Sequence, residues 1–581
     1  MKHIIFKYIL LIFAVSFLSS CGDEYLDEKN PNEIAKDNYW RNLSETEKGL
    51  NSAYHTLNVP ALVSIIEEAQ RSDMAWPAYA RPVPGTISEF YNQTYSNSTP
   101  AIASKWETNY LGIFRANQVI EGLNTIKGTV DDVEWTSQMA QARFLRGLFH
   151  WYLYSTFNNG SIIIRDYAPV TNEDFNKGLS PASEVLAFLR EDLEYAYANL
   201  YAKGEYPNAY DVNRVTSGAA ATVLGTTYLM ELNYSKAMEY FTDVLNSGDY
   251  ALEYDMAKLF TTAGEFNQES ILEISYNNTL KPEANLWNGE TVTNRLNQLT
   301  TGTVGANAPT WLAYKYKTEP MDILDDRNYY VNEDGVRLLR NVPLRCSAMM
   351  AVIEDGQTPY YLTKSVSEYS KFGANNWGIG WHKKFSNHDI VENENDLPYG
   401  TTQSGKNVTL NRLAEVMLMQ AECLIKTGDG EGAMLLMNEI RKRWGLELIG
   451  ESGSDVSHSY DENTYSLDEL MEHLMYVEKP LEMSLEGHAI RFLDLKRWGI
   501  IKENFKKLSE QTYYATTYFY TNSEGKAASK WNSSVVKELP TTGVPQVIDF
   551  EYDIPYSNYN EALHSTFPIP LTEINANTNI N

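Results

Sequence analysis

Three scarcities set the first limits on this 581-residue chain. It has only three cysteines, Cys21, Cys346 and Cys423, so disulfides are not expected to hold it together. Beyond a short N-terminal segment it has no apolar run near the ~20 residues that span a bilayer. It has 48 basic residues against 76 acidic ones, and the net charge of −28 repels nucleic acid backbones and anionic lipid. No nucleic acid partner is therefore predicted.

The N-terminal segment predicts export. Lys2 and Lys7 precede an apolar run from Tyr8 to Leu18, which is too short for a transmembrane helix. The sequence Leu18-Ser19-Ser20-Cys21 resembles a bacterial lipobox, which predicts a signal peptide over 1–20 and acyl chains on Cys21. A plain signal peptide with an incidental cysteine is the alternative. The acidic Gly22-Asp23-Glu24 that follows resembles the export tag of surface lipoproteins.

The rest of the composition is that of a large folded protein rich in aromatic residues. Hydrophobic residues make up 43% of the chain, enough for one large domain or two to four smaller ones. The 40 tyrosines and 12 tryptophans mostly predict core packing. In an exported acidic chain they also suit a surface that stacks on sugars.

Helical periodicity dominates the N-terminal part, and one segment has the register of a tetratricopeptide repeat. In 223–250, the small residues Gly225 and Ala237 let two helices approach, and Tyr228 and Phe241 fill the space between them. A looser copy follows over 410–445, with a loop that we estimate to be too long for the strict period. Cys423 lies in that copy and is expected to be a small core residue. Further pairs are predicted over 105–157 and 184–200.

Because one helix pair cannot bury its own apolar face, at least three must stack. The predicted fold class is therefore mainly α, an α-solenoid of about four tetratricopeptide-like helix pairs with a loop-rich, partly β C-terminal half. The scaffold is assigned to about 40–252 and 408–500. Residues 255–405 and 501–581 are rich in Gly, Asn, Pro, Trp and Tyr, with a short strand at "ESILEISYNN" and tyrosine-rich loops near the end.

Six motifs in order resemble one family. They are the lipobox with "YLDEKNP", "QARFLRGLFHWYLYSTFNNGSIII", the repeat over 223–250, "RLAEVMLMQAECLIKTG" with "AMLLMNEIRKRWG", "EKPLEMSLEGHAIRFLDLKRWG" and "FPIPLTEINAN". Together they identify the chain as similar to the SusD/RagB-like outer-membrane nutrient-binding lipoproteins. The ending "NTNIN" departs from the usual family ending.

The resemblance implies one domain over 21–581, lipid-anchored in the outer membrane and facing the cell exterior. It implies non-catalytic binding of an oligosaccharide or polysaccharide for a partner TonB-dependent, SusC-like transporter. No cofactor is implied. In the segment 478–499, Glu478, Glu482 and Glu486 beside Arg491, Asp494 and Arg497 have helical spacing, which favours a brace of ion pairs over a site.

Sugar binding needs flat apolar faces and planar polar groups, and loops between helices supply both. The loop "RSDMAWPAYARP" and the central region supply the predicted ligand-binding residues: Asp73, Trp76, Tyr79, Arg81, Trp287, Trp311, Tyr314, Trp377 and Trp381. The family favours Asp73, Trp76 and Arg81 among them. For each tryptophan, core packing is the competing interpretation. Asp73 as a cap and Arg81 in a surface ion pair are further alternatives.

Other function classes remain open at this point. Capture of a peptide would use extended-backbone hydrogen bonds, and a structural tetratricopeptide adaptor would hold a partner protein. A hydrolase is the third alternative, but G-x-S-x-G, H-E-x-x-H and a P-loop are absent from the sequence and no catalytic residue is predicted. His382 and His388, near Asp389, form only a weak metal motif, so a solvated loop and no metal are expected there.

Overall fold

The computed structural model describes residues 39–77, 81, 88–208, 211–277, 291–301, 305–372, 378–397, 403–541 and 543–580. The lipidation prediction at Cys21 and the signal peptide over 1–20 lie outside these residues. The described part is mainly helical with small antiparallel sheets. Within it, no helix combines the length and the apolar character needed to cross a membrane.

The N-terminal part is helical, as its periodicity predicted. The helices are α1 (Leu43–His55), α2 (Ile65–Arg71), α3 (Pro100–Ile126), α4 (Asp132–Thr156), α5 (Asn172–Phe175), α6 (Ala182–Asn199), α7 (Ser217–Met230) and α8 (Tyr234–Asn246). Local signals fix their starts: Pro100 occupies the first turn of α3, and Asp131 caps α4 by accepting from the Glu134 amide at 2.9 Å.

The central part alternates short elements. They are β1 (Ser270–Ile274), α9 (Leu296–Thr300), α10 (Thr310–Thr318), β2 (Tyr329–Val331), β3 (Arg337–Leu339), α11 (Leu344–Met349), β4 (Met350–Ala351), β5 (Trp381–His382) and β6 (Val408–Arg412). β1 lies within the predicted strand and pairs antiparallel with β6; β2 pairs with β3, and β4 with β5.

The C-terminal part returns to helices and ends in a sheet with three short helices. The helices are α12 (Leu413–Thr427), α13 (Gly430–Arg443), α14 (Leu467–His473), α15 (Lys479–Glu482), α16 (Ile490–Arg497) and α17 (Ile501–Ser509). Strands β7 (Tyr513–Thr521), β8 (Ala527–Val536) and β9 (Gln546–Ile548) form an antiparallel sheet in the order β8-β7-β9. Helices α18 (Asp553–Asn558), α19 (Glu561–His564) and α20 (Leu571–Ala576) follow. The prediction of tyrosine-rich loops is wrong at β7 and β8. These segments are strands, and their Tyr, Thr and Phe residues favour that conformation.

Helices pack side by side in the order α3, α4, α6, α7, α8, α12 and α13, and the step from α8 to α12 joins helices that are far apart in the chain. The close approach predicted at Gly225 is confirmed, because a Cβ there would lie 2.4 Å from Cε1 of Phe241. Two predictions are corrected. Residues 184–200 form one helix, α6, rather than a pair, and α12 meets α13 through only Gly428 and Asp429 rather than a long loop. Cys423 is buried, as expected.

The segment 478–499 is a brace of ion pairs, but its partners come from elsewhere in the chain. Glu482 binds Arg412 at 2.7 Å, Trp444 Nε1 at 2.7 Å, and Arg443. Burial raises the pKa of Glu482, and the charges of Arg443, Arg412 and Arg345 outweigh it, so the pKa falls to about 2. The expected pairing along a single helix is wrong, except for Asp494 with Arg497, because the chain breaks between α15 and α16 at residues with positive φ.

Candidate functional site

Asp73 lies in the interior, just after α2. Its carboxylate accepts from Arg491 Nε and Nη2, each at 2.8 Å, and from Asn504 Nδ2 at 2.9 Å. Its backbone carbonyl accepts from Trp311 Nε1 at 3.0 Å and from the Tyr552 hydroxyl at 3.1 Å. Since Asp73 is fully buried, the expected water-facing carboxylate is corrected to a group that fixes four distant segments to one another.

Trp76 lies on the same segment and is only 3% exposed. Its backbone pairs with Asn307 in both directions, with N···O distances of 2.7 and 3.0 Å. Its ring meets Tyr91 edge-on at 5.5 Å between centroids and Phe550 at 5.9 Å. The expectation of an exposed indole face is therefore wrong here, because aromatic neighbours cover the ring.

Arg81 is also buried, and it is clamped by a residue that the sequence did not single out. Its Nε donates to Glu551 Oε1 at 2.7 Å, and its Nη2 donates to the Ala308 carbonyl at 2.8 Å. Glu551 also accepts from the Thr310 amide at 2.8 Å and from the Thr310 hydroxyl at 2.7 Å. One carboxylate thus joins Arg81 to the N-terminus of α10. The pair is buried, so the alternative of a surface ion pair is also wrong.

Trp311 and Tyr314 lie on α10 rather than in the predicted loop. Trp311 is 6% exposed and its Nε1 donates to the backbone carbonyl of Asp73, so the expectation of an exposed ring is wrong here too. Tyr314 is half-buried, with its ring centroid 5.4 Å from that of Tyr513 and the Lys537 ammonium 5.9 Å away. Among the predicted residues that the structure describes, Tyr314 has the most accessible ring.

Trp381 lies on β5 and is 9% exposed. It belongs to a second apolar cluster and meets Phe372 edge-on at 4.8 Å. The expectation of an exposed ring is wrong for Trp381 as well. Tyr79, Trp287 and Trp377 lie outside the described residues. A ligand contact by any of the predicted residues stays a prediction.

Three segments run side by side at this place, and we call them together the loop face: residues 74–77, 305–308 and 378–382. The Gly305 amide donates to the Pro77 carbonyl at 3.2 Å, and the Ala308 amide donates to the Gly380 carbonyl at 3.3 Å. His382 Nε2 lies 3.2 Å from the Met74 carbonyl oxygen. The sequence predicted residues on the first and third segments, and the structure brings those segments together through the second.

The charges beside the loop face are neutralised within the protein. Arg81 pairs with Glu551, and Asp73 pairs with Arg491. His382 stays neutral, since burial and then the nearby charge of Lys384 lower its pKa to about 3. Such surroundings suit a ligand without charge.

The predicted solvated loop at His382 and His388 is wrong, because both imidazoles are buried. His388 lies 2.9 Å from the Ser386 hydroxyl and 4.0 Å from the carboxylate of Asp389, which itself binds Lys406 at 2.8 Å. Throughout the part of the chain that the structure describes, no three His, Cys, Asp or Glu side chains come close enough to hold a metal ion.

Two family models match the chain. The model of the SusD family matches residues 241–581, and a model described as "Starch-binding associating with outer membrane" matches residues 24–229. Between them they cover both the helical scaffold and the loop face.

Relatives and solved structures resemble the chain over nearly its whole length. SusD-like protein P25 of Formosa agariphila is 21% identical over 549 residues, covering 88% of this chain and 93% of the relative. A SusD superfamily structure from Bacteroides vulgatus aligns with a TM-score of 0.68 at 19% identity, over 94% of this chain and 99% of that one. A SusD-like carbohydrate-binding protein from Bacteroides fragilis aligns with a TM-score of 0.61 at 18% identity, over 94% and 100% of the two chains.

Proposed function

This chain belongs to the SusD family, a family of non-catalytic binding proteins, and on that premise we propose that it captures a neutral oligosaccharide or polysaccharide at the cell surface. The loop face carries this proposal. Its segments are tied to one another by backbone hydrogen bonds, and the buried charges beside it are already paired. The three segments are themselves buried, so they form a rigid, neutral support, and a ligand rich in hydroxyl groups binds to the side chains that lie over it.

In this proposal the predicted residues act at two levels. Asp73, Trp76, Arg81 and Trp311 hold the face from below, because their polar groups and rings are engaged with the protein. Tyr314, with its half-buried ring, and the predicted residues Tyr79, Trp287 and Trp377 supply ligand contacts. The helices from α3 to α13 form the tetratricopeptide-like solenoid that supports the face.

Membrane attachment and delivery complete the proposal. Acyl chains on Cys21 anchor the domain 21–581 to the outer membrane, and the captured glycan passes to a SusC-like TonB-dependent transporter. Extraction of outer membranes with detergent, followed by purification of the chain, tests both points. We expect acylated Cys21 and a co-purifying barrel protein. An unmodified N-terminus contradicts the anchor, and recovery without a barrel contradicts the partner.

Affinity electrophoresis tests the binding function itself. Wild-type protein and the Trp287→Ala and Trp377→Ala variants run in native gels that contain laminarin, soluble starch, xylan or levan. We expect at least one polysaccharide to slow the wild type, with no reducing sugar released, and each variant to lose at least half of that retardation. The control is Trp135→Ala, at a half-buried helical tryptophan whose Nε1 donates to the Leu123 carbonyl at 2.8 Å. It should run as the wild type does.

Two results contradict the proposal in different ways. Retardation of the wild type by none of the polysaccharides refutes glycan binding within this panel. Equal retardation of the wild type and both variants leaves glycan binding intact and refutes the assignment of ligand contacts to Trp287 and Trp377.

A further inference from the structure

A cleft lined by residues outside the loop face lies between α1 and the end of β1. It has a volume of about 520 Å³, within the range of roughly 300–1,000 Å³ that is usual for small-molecule sites. Asn51, Tyr54 and His55 of α1 form one wall, Ser275 and Tyr276 form another, and Asn213 lies at a third side. By comparison, the polar cavity beside Phe260 and Lys384 has a volume of only about 40 Å³.

Arg214 and Glu273, two charged residues of the lining, are already paired or hydrogen-bonded within the protein. Arg214 is bound to Asp211, at 3.4 Å, and to Glu47. Glu273 accepts from Asn407 Nδ2 at 3.0 Å and from the Phe266 amide at 3.2 Å. No strong field is therefore left to select a charged ligand.

Neutral polar groups, in contrast, are left without partners. Among the described residues, nothing hydrogen-bonds to the side-chain carboxamides of Asn51 and Asn213, which are exposed, to the Tyr276 hydroxyl or to the Ser275 hydroxyl, whose oxygen is buried. A carboxamide offers both donors and an acceptor, which is the pattern that neighbouring sugar hydroxyls require. The rings of Tyr54 and Tyr276 add apolar surface for the carbon-bound hydrogens of a sugar.

We propose that this cleft is a second binding site for neutral oligosaccharides. The inference rests on the proposed function and extends it, because residues 291 and 292 line this cleft and residues 305–308, a little further along the chain, belong to the loop face. Thr291 donates through both its amide and its hydroxyl to the Asn58 carbonyl at 3.2 Å, at the edge of the cleft, whereas Asn307 pairs with Trp76 in the loop face. A long polysaccharide that occupies both sites gains affinity through the high effective concentration of its second segment.

Filling the cleft tests the proposal. Asn51 is exposed on α1, so Asn51→Trp should fold and occupy the cleft. Ser52→Trp is the matched control, since Ser52 is also exposed on the same helix but does not line the cleft. The probes are the polysaccharide among laminarin, soluble starch, xylan and levan that retards the wild type most, and the trisaccharide of the same sugar and linkage.

The expected result is a tenfold or greater loss of polysaccharide affinity in Asn51→Trp and less than a twofold change in Ser52→Trp. Calorimetry should count two trisaccharides bound per wild-type chain and one per Asn51→Trp chain. Equal affinities in the two variants, or one trisaccharide per wild-type chain, contradict a binding site in this cleft and leave the proposed function standing. Binding of none of the four polysaccharides by the wild type overturns both proposals.

Discussion

Glu551 is the single residue on which the support of the loop face most depends. Its carboxylate joins Arg81 to Thr310, which lie 470 and 241 positions away in the chain. The sequence could not single it out, because it is one of 76 acidic residues and neither partner has a fixed spacing from it. Asp73 and Arg81 were found through a family motif, but their burial follows from partners equally distant in sequence.

Replacing Glu551 by alanine should therefore be costly. Glu551→Ala leaves the Arg81 guanidinium buried without its counter-ion, and losses of this kind are about 3–5 kcal/mol in the free energy of unfolding. Urea unfolding followed by circular dichroism measures the change. As a control, Glu510→Ala breaks a 3.8 Å ion pair with Lys506 whose side chains are more than half exposed, and it should change stability by no more than about 0.5 kcal/mol. Similar losses in both variants would contradict the role of Glu551.

The raised pKa of Glu415 predicts a specific pH dependence of the free energy of unfolding. Burial on α12 raises its pKa from 4.5 to about 7, although Asn411 Nδ2 donates to it at 2.8 Å and Lys479 is nearby. The folded protein therefore holds this proton more tightly than the unfolded chain does. The stability that it adds is complete below pH 4.5 and is lost as the pH rises through 7.

The Glu415→Gln variant isolates this effect. Between pH 5 and 8, wild-type stability should fall relative to that of the variant by about 2 kcal/mol, because glutamine does not ionise. Urea unfolding of both proteins at the two pH values gives the difference. Glu431→Gln, at an exposed position on α13, should keep the wild-type slope. A Glu415→Gln slope equal to that of the wild type would refute the raised pKa.

At the scale of elements, periodicity predicted the long helices well and the short elements poorly. The α7–α8 pair follows from small and aromatic residues at repeat positions, because those residues decide how closely two neighbouring helices approach. The β7–β8 hairpin was missed although its Tyr and Thr content favours a strand. The break between α15 and α16 depends on positive φ at Leu485, Gly487 and Ala489, of which only the glycine is a sequence signal.

The α7–α8 contact can be tested through Gly225. An alanine normally favours a helix over glycine by about 1 kcal/mol, yet here its Cβ would overlap the Phe241 ring. We expect Gly225→Ala to destabilise the protein by about 1–3 kcal/mol through overpacking.

A double-mutant cycle provides the control for that prediction. Phe241→Leu removes the ring, so Gly225→Ala should cost at least about 1 kcal/mol less in the Phe241→Leu background than in the wild type. Chemical unfolding of the four proteins measures this coupling. Strictly additive losses would show that the two residues do not limit the approach of the helices.

At the scale of the whole molecule, the predicted site residues divide by depth. The sequence predicted one shared site for Asp73, Trp76, Arg81 and Trp311, and the structure confirms that these residues are neighbours. The sequence could not predict that these residues lie beneath the surface, because their burial depends on chain segments hundreds of residues away, such as those of Tyr552 and Arg491. Trp381 lies one residue past Gly380 in the loop face, but its ring packs into the second apolar cluster.

The most direct test of glycan capture at the loop face is amide hydrogen exchange, measured with and without the polysaccharide that retards the wild type most. A ligand that binds only the folded protein stabilises the segments that support its site and slows their amide exchange. We predict slower exchange within 74–77, 305–308 and 378–382 at saturating polysaccharide. Unchanged exchange in all three segments, with binding established in the same sample, would contradict this account of the protein.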